Sequence, residues 1–224
     1  MKTLIISDLH LNTCFDESLY DYIVNLLDRV DQVIINGDFW DYYLCSFEEF
    51  INSEWSGIFP LLKEKNALYI YGNHDRSMFS DDRVTLFSDQ QLDEYTLHSG
   101  RKKIVIEHGH RVAPEMDDQH PTLTRLFNRF YPRFYFYMLK DLPITRFINR
   151  KIMSPQRERI DESMQKYVAE SKTREVDAFV FGHSHVFDNI HTPGYFNSGS
   201  FWGGIAEYLI VEDGIISPII EHYW

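Results

Sequence analysis

Apolar residues collect in five short, nearly unbroken runs: Thr3–Ser7, Gln32–Asn36, Ala67–Tyr71, Lys103–Glu107 and Ala178–Phe181. They are rich in Ile, Val, Phe and Tyr and too brief for helices, so they predict buried strands. Between the first two, Phe15, Leu19, Ile23, Leu26, Leu27 and Val30 recur at helical spacing. Asp16 and Glu17 fall in the first turn of that helix and Arg29 in its last, as the helix dipole favours. A second helix is expected to start at the capping box Ser46-Phe-Glu-Glu49 and to break or kink near Gly57–Pro60. Towards the C-terminus, Tyr208–Glu212 and Ile215–Ile220 flank Asp213-Gly214, the signature of a hairpin.

The stretch from Arg111 to Lys172 departs from this strand rhythm. Pro121, Pro132, Pro143 and Pro155 punctuate helical segments, and Ser154-Pro155 reads as an N-cap with proline at the first helical position. Ile160, Met164, Tyr167 and Val168 give the helix that follows one apolar face. The expected organisation is an α/β core from residues 1–110 and 173–224, interrupted by a helical insertion over 111–172 within the same domain.

At 224 residues and 26.7 kDa the chain suits one large α/β domain with room for that insertion. A hydrophobic content of 44% excludes a disordered chain, and no apolar run is long enough to span a bilayer. Asp8 and His10 cut short the apolar opening, so it is not expected to serve as a signal peptide. Two cysteines, Cys14 and Cys45, do not make a disulfide scaffold, so a reducing cytosol is the expected compartment. The net charge of −12 argues against a generic nucleic-acid binder. It conceals a basic segment, however. Residues 121–160 hold nine Lys or Arg against Asp141 and Glu158, a local charge of +7. Such asymmetry points to a separate task for the basic piece.

Each of the five strands runs into metal-capable side chains: Asp8-Leu-His10, Gly37-Asp38-Phe-Trp-Asp41, Gly72-Asn73-His74-Asp75, His108-Gly-His110 and Gly182-His183-Ser-His185. Ligand sites in layered α/β proteins gather beyond the carboxyl ends of strands. Mixed carboxylate and imidazole donors suit Mn, Fe, Zn or Ni better than Mg or Ca. Two Asp, one Asn and four His are too many for one ion and suffice for two that share a carboxylate. Taken singly, Asp-x-His and Gly-Asp are ordinary capping and turn sequences; their recurrence at five strand ends is what favours a metal centre.

These five motifs, in this order, resemble the D-x-H, G-D-x-x-D, G-N-H-D/E, H and G-H-x-H motifs of the calcineurin-like metallophosphoesterases. Asn197-Ser-Gly-Ser200 resembles a strand that follows in many members. The resemblance implies a two-layer β-sandwich core flanked by helices, with a binuclear site at one rim. It also implies Asp8, His10 and His185 on one ion, Asn73, His108 and His183 on the other, and Asp38 bridging them. His74 matches the histidine that faces the leaving group, and Asp41 the aspartate that orients it; a buried structural imidazole is the alternative for His74. His110 is either a support behind the ligands or part of the site's rim. His98, His120, His191 and His222 lie in no motif and are expected on the surface. Two divalent ions are therefore expected, with Mn first and Fe, Zn or Ni as alternatives. They would offset the charge of a phosphate ester and acidify an attacking water.

Within the superfamily the insertion resembles the helical cap of UDP-2,3-diacylglucosamine hydrolases, through Asp8-Leu-His-Leu11 and a basic, aromatic segment holding Leu142-Pro143, Arg146 and Arg150. That group carries Arg at the position of His74 and Asp at that of His110. In the cap, Phe127, Phe130, Tyr131, Phe134, Tyr135, Phe136, Tyr137 and Phe147 stand among the arginines. Such a surface either packs on the core or receives an amphipathic, lipid-linked phosphate ester, with peripheral contact to the inner membrane face. Nucleic acid fits the acidic remainder less well. Three functions are carried forward. The first is a phosphodiester or pyrophosphate hydrolase acting on a small or lipid-linked substrate. The second is a phosphomonoesterase or a nucleotide or nucleic-acid phosphodiesterase. The third is a catalytically silent scaffold.

Overall fold

The computed structural model describes residues 1–114, 154–171, 175–187 and 192–223. Among the described residues, eleven strands form two sheets. The larger holds β1 (Thr3–Ile6), β2 (Gln32–Asn36), β3 (Leu68–Ile70), β4 (Gln90–Leu92), β9 (Phe201–Trp202), β10 (Ile205–Glu212) and β11 (Ile215–His222). Its main path is β11-β10-β1-β2-β3-β4, parallel from β1 to β4, with β9 paired to β10. The smaller runs β5 (Glu94–Ser99), β6 (Lys102–Glu107), β7 (Ala178–Phe181) and β8 (Tyr195–Asn197), parallel from β6 onward.

Alternation along each strand explains why the apolar runs are unbroken. Ile5, Ile34, Ile104, Ile106, Val180 and Leu209 point into the layer between the sheets. Leu4, Ile6, Val33, Ile35 and Tyr208 point outward onto the helices α1 (Glu17–Leu27), α2 (Phe47–Ile51) and α3 (Phe59–Glu64). On the other side, Val105, Phe179 and Phe181 meet α4 (Ser154–Glu170) through Ile160, Met164 and Val168. A strand buried on both faces needs apolar residues at every position. The result is four layers, two sheets flanked by helices.

Local signals resolve as follows. In α1, Leu19, Ile23, Leu26 and Leu27 are buried, each contributing roughly 1.5–3 kcal/mol. Asp16 is its N-cap rather than a residue of the first turn, its carboxylate accepting the Leu19 N–H at 3.0 Å, and Arg29 lies beyond its end. The capping box at Ser46 and Glu49 is formed, but α2 stops at Ile51 and a 3-10 turn over Glu54–Ile58 leads into α3. The hairpin turns at Asp213 and Gly214, both left-handed, at φ 49° and 81°. β4, β5, β8 and β9 carry no apolar run long enough to predict a strand. The segment 115–153, including Arg146, Arg150 and the cap aromatics, lies outside the described residues, as do His120 and His191. α4, inside the range 111–172, covers the smaller sheet. Among the described residues, no helix is long and apolar enough to cross a membrane.

Candidate metal centre

The five motifs meet at one rim, beyond the carboxyl ends of β1, β2, β3, β6 and β7. The first two continue the parallel ladder of β1 and β2 as loops. Asp8 N donates to Gly37 O at 3.1 Å, His10 N to Asp38 O at 2.9 Å and Leu11 N to Phe39 O at 2.9 Å. Asp8, His10, Asp38, His183 and His185 are all left-handed, with φ between 48° and 65°. Such a backbone costs non-glycine residues of order 1–3 kcal/mol each and persists where the surroundings hold it. Asp and His tolerate it better than most residues.

Glycine is required where the loops close on one another. At Gly37, φ is +83° and a Cβ would fall 2.4 Å from the His108 ring; at Gly72 it would fall 2.1 Å from Asp38 Oδ1. Asp75 latches the second and third loops by accepting the N–H groups of Phe39 and Gly72, each at 2.7 Å. The motif had marked Asp75 without revealing this task.

The donors converge. Asp8 Oδ1 lies 3.2 Å from His185 Nε2, which lies 3.3 Å from His10 Nε2. Asp38 Oδ2 stands 3.7 Å from His10 Nε2 and 3.4 Å from His108 Nε2, and the latter is 3.1 Å from Asn73 Oδ1. His108 donates Nδ1–H to Asn36 O at 2.8 Å, which turns its Nε2 lone pair into the cage. His183 donates Nε2–H to Ala113 O at 2.9 Å, leaving Nδ1 as its free donor atom, while its backbone N–H binds Asp8 Oδ2 at 3.1 Å. The Asp8-His10-His185 and Asp8-Asp38-His108 sets each bring their ligand atoms within 4.8 Å of one another.

This donor set fits divalent ions. Two imidazoles on one tetrahedral cation, with bonds of about 2.0–2.1 Å, stand about 3.3 Å apart, the spacing of His10 and His185. Asp8 Oδ1 is buried without a hydrogen bond among the described residues, as expected of an oxygen directed at a cation. Burial lowers His183 to about 3 and His185 to about 4, keeping both imidazoles neutral ligands near pH 7. Burial would raise Asp8, but His185 beside it brings its pKa to about 2. Burial likewise opposes a charge on His108, yet Asp38 lifts it to about 10, so a cation binding there would release a proton.

His74 stands at the mouth of the cage. Its Nδ1 lies 3.2 Å from Asp41 Oδ2, and its backbone N–H donates to Asp38 Oδ1 at 2.9 Å. Asp41 also approaches His10 Nδ1 at 3.4 Å and accepts the Tyr43 N–H at 2.9 Å, so one carboxylate orients two histidines. Burial disfavours the Asp41 charge, but His74 and His10 hold its pKa well below the usual carboxylate range. His110 sits behind the ligands, its ring 5.6 Å from that of His108 and 6.4 Å from that of His183. His98 and His222 are exposed, away from the cage.

A protein-family comparison matches residues 1–187 to the calcineurin-like phosphoesterases. No curated protein sequence matches the chain. Among solved structures, Yfce, a phosphoesterase from E. coli, aligns over all of both chains at 14% identity with a TM-score of 0.47. An archaeal phosphodiesterase aligns over 99% of this chain and 100% of its own at 16% identity and a TM-score of 0.45. Vps29 from Entamoeba histolytica, complexed with zinc, aligns over all of both chains at 14% identity and a TM-score of 0.45.

Proposed function

The chain belongs to the calcineurin-like phosphoesterase family, and on that premise we propose that it is a binuclear metal-dependent hydrolase of phosphodiester or pyrophosphate bonds. The observation that supports this most is the placing of Asp38 between His10 and His108, with further donors on both sides. Asp8, His10 and His185 would hold one ion, Asn73, His108 and His183 the other, and Asp38 both. Two divalent cations, Mn before Fe, Zn or Ni, would supply charge to offset the phosphate's and acidify the attacking water. The protein's own groups do the rest. Asp41 fixes His74 with Nδ1 inward, leaving Nε2 to donate a proton to the departing oxygen. Gly37 and Gly72 keep the floor of the cage clear for the ligand side chains.

For substrate we propose a nucleotide-linked lipid of the UDP-2,3-diacylglucosamine type, met in the cytosol at the inner membrane face. The +7 segment with its interleaved aromatics supports this reading. Arg146 and Arg150 would bind the anionic groups through paired hydrogen bonds. The test supplies Mn²⁺ with bis-p-nitrophenyl phosphate, p-nitrophenyl phosphate and UDP-2,3-diacylglucosamine in turn. Release of UMP is expected, with diester cleaved faster than monoester. Arg146→Ala and Arg150→Ala should raise KM for the lipid at low salt and leave the small diester nearly unchanged. Cleavage of the monoester alone would move the assignment to a phosphomonoesterase, and no turnover with any divalent ion would leave a scaffold.

A further inference from the structure

Asp161 is a buried carboxylate on α4, 3% exposed, and no motif contains it. Its Oδ1 accepts the hydroxyls of Ser184, at 3.1 Å, and Tyr195, and its Oδ2 accepts Gln165 Nε2 at 2.7 Å. Ser184 separates the ligand candidates His183 and His185. With its proton given to Asp161, its oxygen accepts Val186 N at 3.2 Å and Asn197 Nδ2 at 3.0 Å, so the hydroxyl is fully committed. Asn197 Nδ2 also donates to Gly182 O at 2.9 Å, closing the network on the loop's first residue. Four hydrogen bonds thus hold a loop whose two histidines are both left-handed, at φ 65° and 54°. Without that support the loop would relax towards ordinary backbone geometry.

We propose that Asp161 is a positioning residue for the metal pair, seating the Gly182–His185 loop through Ser184 and coupling the docking of α4 to metal affinity. The proposal rests on the metallohydrolase reading above. Removing the carboxylate would leave two buried hydroxyls without their acceptor and free the loop that carries one ligand for each ion. Coupling of this kind is reciprocal, so metal binding should in turn tighten α4.

Mn²⁺ affinity of the full chain, measured by calorimetric titration, tests this, with the melting temperature in EDTA as a separate readout. Asp161→Ala should raise Kd about 10–100-fold, the scale found when support behind a metal ligand is lost. It should also shift the visible absorption bands of the Co²⁺-loaded protein, which report ligand geometry. Asp161→Asn keeps an acceptor for Ser184 and Tyr195, and a flipped Gln165 amide can meet its new N–H, so Kd should stay within about threefold. Mn²⁺ should slow amide exchange in α4 of the wild type and do so less in Asp161→Ala. A purely structural role would lower the EDTA melting temperature and leave Kd and the Co²⁺ spectrum unmoved, and a Kd within twofold of wild type overturns the proposal. Should Asp161→Ala not fold, Ser184→Ala cuts the same link from the other side and is judged by the same limits. A wild-type protein that binds neither ion would overturn the metallohydrolase reading and this proposal together, which separates that failure from one confined to Asp161.

Discussion

Gly72→Ala adds one methyl group at the most crowded contact of the cage. The new Cβ would stand 2.1 Å from Asp38 Oδ1, 2.5 Å from Asp38 N and 3.0 Å from Asp38 Cγ. Relief needs a separation larger by about 1 Å, and neither side can yield freely. Asp75 ties Gly72 to Phe39 through two 2.7 Å hydrogen bonds, and Asp38 Oδ1 holds the His74 N–H at 2.9 Å. Overpacking of this kind costs typically about 1–3 kcal/mol. A buried N–H left unpaired when Asp38 swings away adds about 1–3 kcal/mol. The sum, about 2–6 kcal/mol, is a large share of the roughly 5–15 kcal/mol that holds a domain folded. At about 2–4 °C per kcal/mol for a chain of this size, the melting temperature should fall by on the order of 5–20 °C. Bound metal should fall at both positions, because Asp38 faces His10 and His108 alike. Gly57→Ala is the control. Its Cβ would meet Tyr20 Oη at a comparable 2.5 Å, but that is the end of a side chain able to rotate aside, so stability and metal content should hold. Calorimetry in EDTA and elemental analysis after Mn²⁺ loading read both effects. A Gly72→Ala protein with wild-type metal content and turnover within twofold would refute the claim that the cage depends on Asp38's position.

Asp38→Ala should abolish turnover and reduce metal at both positions by elemental analysis; full occupancy would exclude the bridging role. His74→Ala should keep both ions yet slow turnover about 10²–10⁴-fold, the scale of a positioned proton donor, and a variant with lost metal but normal turnover would reverse the assignment. Glu207 supplies a pH test: burial, with a smaller push from the Asp8 carboxylate, lifts its pKa from 4.5 to about 7. A raised folded pKa contributes stability that is fully present below the unfolded value and is lost as pH rises through the folded one. Glu207→Gln, which keeps an acceptor for Ser200 N, should therefore gain stability relative to wild type between pH 5 and pH 8, by on the order of 3 kcal/mol at most, read as a rising difference in melting temperature. An equal difference at both pH values would show that Glu207 does not titrate in this range.

Much of the fold was legible in the chain because its signals are local or periodic. Strands lying between two layers must be apolar at every position, so β1, β2, β3, β6 and β7 announced themselves within a residue or so of their ends. The capping box of α2 and the Asp213-Gly214 turn depend on residues at most three apart. The metal-type residues were legible for a related reason, since each stands directly after a strand whose end could be read. Strands without apolar runs, such as β5 with its half-exposed sequence, left no such mark.

Tertiary structure decided what those residues do to one another. Asp41 serves both His74 and His10, 33 and 31 positions away, and Asp75 locks a loop through Phe39, 36 residues earlier. Asp161 reaches Ser184 from a helix belonging to another layer. The left-handed backbone at five of the ligand-bearing positions is similarly invisible in composition. Each is a long-range contact or a strained conformation held by one. A sequence displays such partners as separate polar residues, and only the packing of four layers sets the distances that turn them into a site.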